Sequence, residues 1–500
     1  MPGSSPNRDL RARVAGRAGF FLAAFLALLG AVLLLDRIGV AEVVVAAVAP
    51  AFVLLTVAVI AFLPRSTNAL RFYAADRLVP STYGGLALAG LALGLLKPFA
   101  PLRADGVFAS IALGFALGLV GLALFSGPIV RRAGAFTLTE LLTARFAAPA
   151  FRIALALVVA AACFALALGG LIGAIRALTA LGISPDLAAG LAAFGVVLVA
   201  APGGAAGVAW ASAVAMAVLA FSFAAPGVAG LARGAVLPFP VLGDAQAWAR
   251  AGDIVADWSV GAGVGGDMTL VVAVACGLMA LAPLAGPAIA APNVRHARRV
   301  GLKALAIGAV TLALAASAFA AAILTFDARI VGARPDALPD RVYAASAIGQ
   351  LDICDARAGG PGAARAACAA LPDGRLRRAD VRPTATYFFS AYADLLGLGA
   401  AVRGLAIAAA AVIGLTLAAA GFLGVATTCG HDLLFRLPGF SSLPSVRQAL
   451  TRAFLLAAAA GGALLAARAR LEPSWAVGVA LLIACGLVWP LLALALWPRA

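Results

Sequence analysis

A membrane's hydrocarbon core holds no water, so each helix that crosses it needs about 20 consecutive, mostly apolar residues. This chain repeats such runs from one end to the other. Candidate spans cover 18–35, 41–63, 84–101, 106–127, 152–176, 184–202, 206–228, 268–290, 303–326, 404–429, 452–470 and 474–497. The runs are continuous rather than alternating in polarity, which points to helices and excludes barrel strands. Only 12% of the 500 residues are charged. A soluble domain carries about twice that fraction, so lipid is the main solvent. The expected fold is an all-α polytopic membrane protein with about twelve transmembrane helices.

The charged residues that remain are mostly arginines between spans. The net charge is +16, which in this context reads as membrane orientation by the positive-inside rule rather than nucleic-acid binding. "RDLRARVAGR", "PRSTNALRFYAADR", "VRRAGAFTLTELLTARFAAPAFR", "NVRHARRVGLK" and "HDLLFRLPGFSSLPSVRQALTR" all fall on one side when crossings are counted. That side is expected to be cytoplasmic, with both termini there, in a bacterial-type inner membrane. Segments 229–267 and 327–403 then lie outside. The second holds Cys354 and Cys368, which form a disulfide in an oxidising compartment or stay as two free thiols. It also holds "TATYFFSAYADLLGLGA", apolar and aromatic but short, expected as a re-entrant or surface helix. Cys163, Cys276, Cys429 and Cys485 lie inside apolar runs and read as small packing residues. No metal-ligand spacing is present.

Two spans are expected to be broken. Gly90 and Gly94 loosen 84–101, and Pro283, Gly286 and Pro287 interrupt 268–290. Interrupted helices in matching positions of two halves point to a transporter binding site. Each would open a block of five helices, the first starting inside and the second outside. This is a five-plus-five inverted repeat preceded by two extra helices. The organisation is therefore 1–63 as basic tail and two extra spans, 64–228 as the first half, 229–267 as an external loop, and 268–497 as the second half including the external loop 327–403.

Local motifs fit this frame. "RFYAADRLVPSTYGGLALAG" and "VRRAGAFTLTELLTARF" resemble consecutive signatures of the sodium:solute symporter family. "GGAAGVAW" and "AAVIGLTLAAAGFLGVATTCGHDLLFR" resemble two later ones. The closest branch is the acetate and monocarboxylate permease type. The resemblance implies the five-plus-five fold and a cation site between the first and eighth core helices. Its ligands would be the carbonyls of Ala89, Ala92 and Ile413 and the hydroxyl of Thr416. Leu91 stands at the family's acidic position, Gly94 and Lys97 at its serines, and Leu417 at its second hydroxyl. Hard cations want several oxygen ligands, so coupling to sodium is disfavoured, and coupling to protons or uniport stays open. Thr416 reads equally as a hydroxyl bonded back to its own helix.

Lys97 and Lys303 are the chain's only lysines, and no acidic residue lies between Gly84 and Arg103. An intramembrane ammonium is a functional-site candidate. Lys97 is a tethered cation beside the thinned ion site, or a contact for an anionic solute. Alternatively its stem carries the charge to the interface. No nucleophile–base pair, phosphate-cradling loop or cofactor site is evident, so an enzyme is not expected. The resemblance implies a secondary transporter moving a small organic solute, a monocarboxylate in the closest branch, by alternating access. The alternative is a transport-inactive sensor or interaction protein on the same scaffold. The bilayer and the solute are the expected partners.

Overall fold

The structure is a computed structural model that describes residues 6–65, 68–99, 107–145, 148–232, 243–259, 268–383, 385–434, 443–468 and 471–496. In chain order the helices are α1 (Pro6–Arg37), α2 (Glu42–Phe62), α3 (Ala69–Ala74), α4 (Ser81–Leu96), α5 (Val107–Gly121), α6 (Gly127–Ala133), α7 (Leu138–Arg145), α8 (Pro149–Thr179), α9 (Pro185–Ala200), α10 (Ala205–Ala232) and α11 (Ala245–Ser259). There follow α12 (Met268–Ala280), α13 (Ala282–Ile289), α14 (Val294–Ile330), α15 (Asp340–Ala347), α16 (Pro361–Ala367), α17 (Ala385–Leu395), α18 (Gly399–Thr427), α19 (Pro444–Arg468), α20 (Pro473–Ile483) and α21 (Trp489–Leu496).

Among the described residues ten helical segments are long and apolar enough to cross a membrane, and the bent pair α12–α13 makes an eleventh. The expected run at 184–202 became α9, apolar but only 16 residues long. At 1.5 Å per residue it reaches about 24 Å, short of the hydrocarbon thickness.

The packing shows the two halves as counterparts. α4 packs on α14 while α12 packs on α5, and α10 packs on α18 while α20 packs on α8. α8 and α18, third in sequence order among the core helices of each half, pack on each other over the most extensive interface. This reciprocity is what an inverted repeat produces. Glycines bring the central pair close. A Cβ on Gly414 would lie 2.7 Å from the Gly170 carbonyl oxygen, and one on Gly170 would lie 2.7 Å from the Gly414 oxygen. α2 packs on α18, α10 and α9, and α1 packs on α2 and α18.

The two expected helix breaks turned out differently. α4 is continuous through Gly90 and Gly94. The glycines permit close approach instead: a Cβ on Gly90 would sit 2.7 Å from the Ser212 carbonyl oxygen, and one on Gly94 would sit 3.1 Å from Ile413 Cγ2. Small residues commonly serve membrane helix packing in this way. The other span does bend, by 53° between α12 and α13. Leu281 is extended there (φ −71°, ψ 113°) and Pro283 falls in the first turn of α13, where its missing N–H costs no ladder bond. Gly286 and Pro287 lie within α13, past the bend.

Residues 331–383 and 385–398 pack against α11, α14 and α18. Strands β1 (Leu351–Ile353) and β2 (Val381–Pro383) pair antiparallel, with Leu351 opposite Pro383. Cys354 and Cys368 are disulfide-bonded, closing a loop of sequence separation 14. Arg378 joins three elements, bonding Asp327 at 2.6 Å and Asp257 on α11 at 3.1 Å. The pairing with both aspartates raises the Arg378 guanidinium pKa above its ordinary value. α17 is the short aromatic helix expected from sequence, and it packs inward: Tyr387, Phe388, Phe389 and Tyr392 are buried. Loop-closure entropy for a loop of this size is about 3 kcal/mol. Replacing both Cys354 and Cys368 by serine should therefore lower thermal stability and expose 351–383 to limited proteolysis before the bundle is cut.

Candidate functional site

Lys97 follows the last residue of α4, in a 3-10 turn, Lys97–Phe99. Its side chain turns into the helix bundle. The residue is 7% exposed, and its ammonium donates to the Ala410 carbonyl of α18 at 2.9 Å. Nζ also lies 5.4 Å from the centroid of the Phe389 ring, within cation–π range. Among the described residues no acidic side chain forms an ion pair with it. The nearby Arg176 is already paired, with Nη1 and Nη2 at 2.7 and 2.9 Å from the Glu472 carboxylate.

Lys97 borders a cavity of about 200 Å³ between α4, α5, α10, α14, α17 and α18. Among the described residues its wall is apolar apart from Lys97 and Thr311, and Phe223, Phe319 and Phe389 supply its aromatic surface. The Thr311 hydroxyl is engaged, donating to the Ile307 carbonyl at 2.9 Å. Ile413 lines the same cavity. The structure therefore brings together Lys97 and Ile413, with Gly94 alongside.

The remaining residues implied by resemblance sit differently. Ala89 and Ala92 lie inside the continuous α4, where each carbonyl belongs to the helix's own ladder. Thr416 is fully buried, and its hydroxyl donates to the Ile413 carbonyl at 3.2 Å. The hydroxyl is thus bonded back along its own helix. This arrangement offers a hard cation few open oxygens and does not fit a sodium cage.

Sequence reasoning missed Ala410, Phe223, Phe319 and Phe389. The aromatic run containing Phe389 signalled only a short re-entrant or surface helix. A backbone carbonyl as lysine partner, 313 positions away, leaves no mark in residue types.

On the opposite face the basic loops converge. Arg131 donates to the Ala291 and Pro292 carbonyls at 2.7 and 2.6 Å, Arg77 to Gly134 at 2.5 Å, and Arg452 to Ala201 at 2.9 Å. These carbonyls close the C-terminal ends of α13, α6 and α9, where cations are favoured by unpaired C=O groups and the helix dipole. The Glu140 carboxylate accepts from the Phe136 N–H at 2.8 Å and lies 3.8 Å from His431 Nε2. Asp432 accepts from the Thr137 hydroxyl at 2.9 Å. Replacing Arg131 by methionine removes two charge-assisted bonds to helix-end carbonyls. About 2 kcal/mol of stability should go with them, read as a lower melting temperature of the purified protein.

No family model and no curated protein matches the chain. Among solved structures it is similar to a Na+-coupled sialic acid symporter in its substrate-bound outward-open state, at 14% identity over 90% of this chain and 86% of that one, with a TM-score of 0.61. A manganese transporter of Eremococcus coleocola aligns over 85% of this chain and 77% of that one at 16% identity, with a TM-score of only 0.36. The chain is a multi-pass α-helical membrane protein that shares the fold of the symporter.

Proposed function

We propose that this protein is a secondary transporter that carries a small organic anion, a monocarboxylate, across the inner membrane by alternating access. The observation that carries the reading is Lys97: a buried ammonium on a cavity wall, bonded to one carbonyl and without an ion-pair partner among the described residues. A buried charge is costly unless paired, and a carboxylate arriving in the cavity supplies the pair. The fold shared with a Na+-coupled symporter supports transport. The fixed ammonium takes the place of a mobile cation beside Ile413, so sodium is dispensable and any coupling runs through protons. The arginine-rich face is the cytoplasmic one, and the disulfide-bonded segment faces out.

Uptake of labelled short-chain and aromatic acids into proteoliposomes tests this. Uptake that persists when external sodium is replaced by a bulky organic cation is expected. Strict sodium dependence would overturn the fixed-cation reading. No uptake of any acid by folded protein would favour a transport-inactive sensor on this scaffold.

A further inference from the structure

We infer that the Lys97 cavity takes a hydrophobic monocarboxylate of about benzoate size, with its carboxylate on the ammonium and its apolar body against Phe223, Phe319 and Phe389. This rests on the reading of Lys97 as the partner of an organic anion, and it specifies which anion.

Size is the first argument. The cavity holds about 200 Å³. A dry protein cavity of roughly 150 Å³ accepts benzene, so a six-membered ring plus one carboxylate fits, while acetate would leave most of the space empty. Polarity is the second. Among the described residues the wall's one polar side chain beyond Lys97 is Thr311, and its hydroxyl is already used on Ile307. Each hydroxyl of a polyhydroxylated acid would be buried there without a partner, which strongly disfavours such ligands. Charge is the third. Arg176 is satisfied by Glu472, so among the described residues Lys97 is the cation left for an incoming anion. The mouth is the fourth. Two small lining residues, Ala112 of α5 and Ala316 of α14, are half-buried and exposed respectively. Access beside them runs past methyl groups alone, which suits a partly apolar acid better than a sugar acid.

The test is equilibrium binding of labelled benzoate to the purified full chain in detergent, with phenylacetate, acetate, gluconate and benzamide as competitors. Phenylacetate should compete well and acetate about 30-fold or more weaker, as expected for losing the burial of a ring. Gluconate and uncharged benzamide should not compete. Lys97→Met should abolish binding. Ala315→Leu, which fills the cavity and leaves the ammonium, should weaken benzoate by about tenfold or more. If that variant is not monodisperse, Ala112→Leu serves the same purpose. Competition by acetate or gluconate as strong as that of benzoate would overturn the hydrophobic assignment and leave the organic-anion reading standing. Competition by benzamide equal to benzoate, or binding untouched by Lys97→Met, would overturn both. No benzoate binding to folded protein would overturn the assignment, and Lys97-dependent uptake of a hydrophilic acid would then show that the transport reading survives alone.

Discussion

Lys97→Met should reduce uptake of the transported acid by roughly 100-fold or more while leaving the fold intact. The size of the effect follows from losing a desolvated ion pair, since about 1.4 kcal/mol corresponds to each factor of ten. The unchanged fold follows from the chemistry of burial. Methionine keeps the length and apolar stem of lysine, and replacing a buried charge by an apolar group of similar volume is often neutral or stabilising. The lost bond to Ala410 leaves a carbonyl that already accepts within α18. The measurement is paired: uptake in proteoliposomes and melting temperature in detergent, on the same preparation. A variant that melts many degrees lower yet transports normally would show that Lys97 is a structural tie between α4 and α18.

Gly414→Val should have the largest effect on stability, about 4 kcal/mol or more. The Cβ alone would meet the Gly170 oxygen at 2.7 Å and the Ala174 nitrogen at 2.8 Å. Both are backbone atoms of α8 and cannot rotate away. The same seam continues at Gly421, where a Cβ would lie 2.7 Å from the Cys163 oxygen. Prising α8 from α18 separates the two helices that join the halves. The check is size-exclusion monodispersity and melting temperature, with Gly308→Val as control because a Cβ there meets nothing within 4 Å. Equal behaviour of the two variants would mean that the α8–α18 contact does not limit stability.

Much of the architecture was legible because hydrophobic length and arginine placement are direct consequences of lipid solvation. Each expected apolar run became a helix or a bent helix pair, and the loops expected together do meet: Arg77 reaches Gly134, and Arg131 reaches Ala291. The arginines' partners were not legible, since each caps a helix end contributed by a distant segment. The glycines of α4 were misread for a physical reason. A glycine weakens a lone helix, but in a crowded bundle the same missing Cβ admits a neighbour's backbone. Composition cannot distinguish these uses, whereas proline carries a stereochemical restriction of its own, and the bend fell beside Pro283. Lys97 was legible as an anomaly. Its partner and its aromatic surroundings arise from contacts among six helices and have no local signature.

The bend at Leu281 has a mechanical consequence. α4 is a stiff rod with its ladder intact through Gly90 and Gly94, while its counterpart in the second half is two short rods joined at one extended residue. Two halves alike in packing are therefore unlike in compliance. A rearrangement that needs one of the paired helices to flex finds its joint at Leu281, where backbone torsions can change without breaking a run of hydrogen bonds. α4, with Lys97 just past its end, has no such joint along its length.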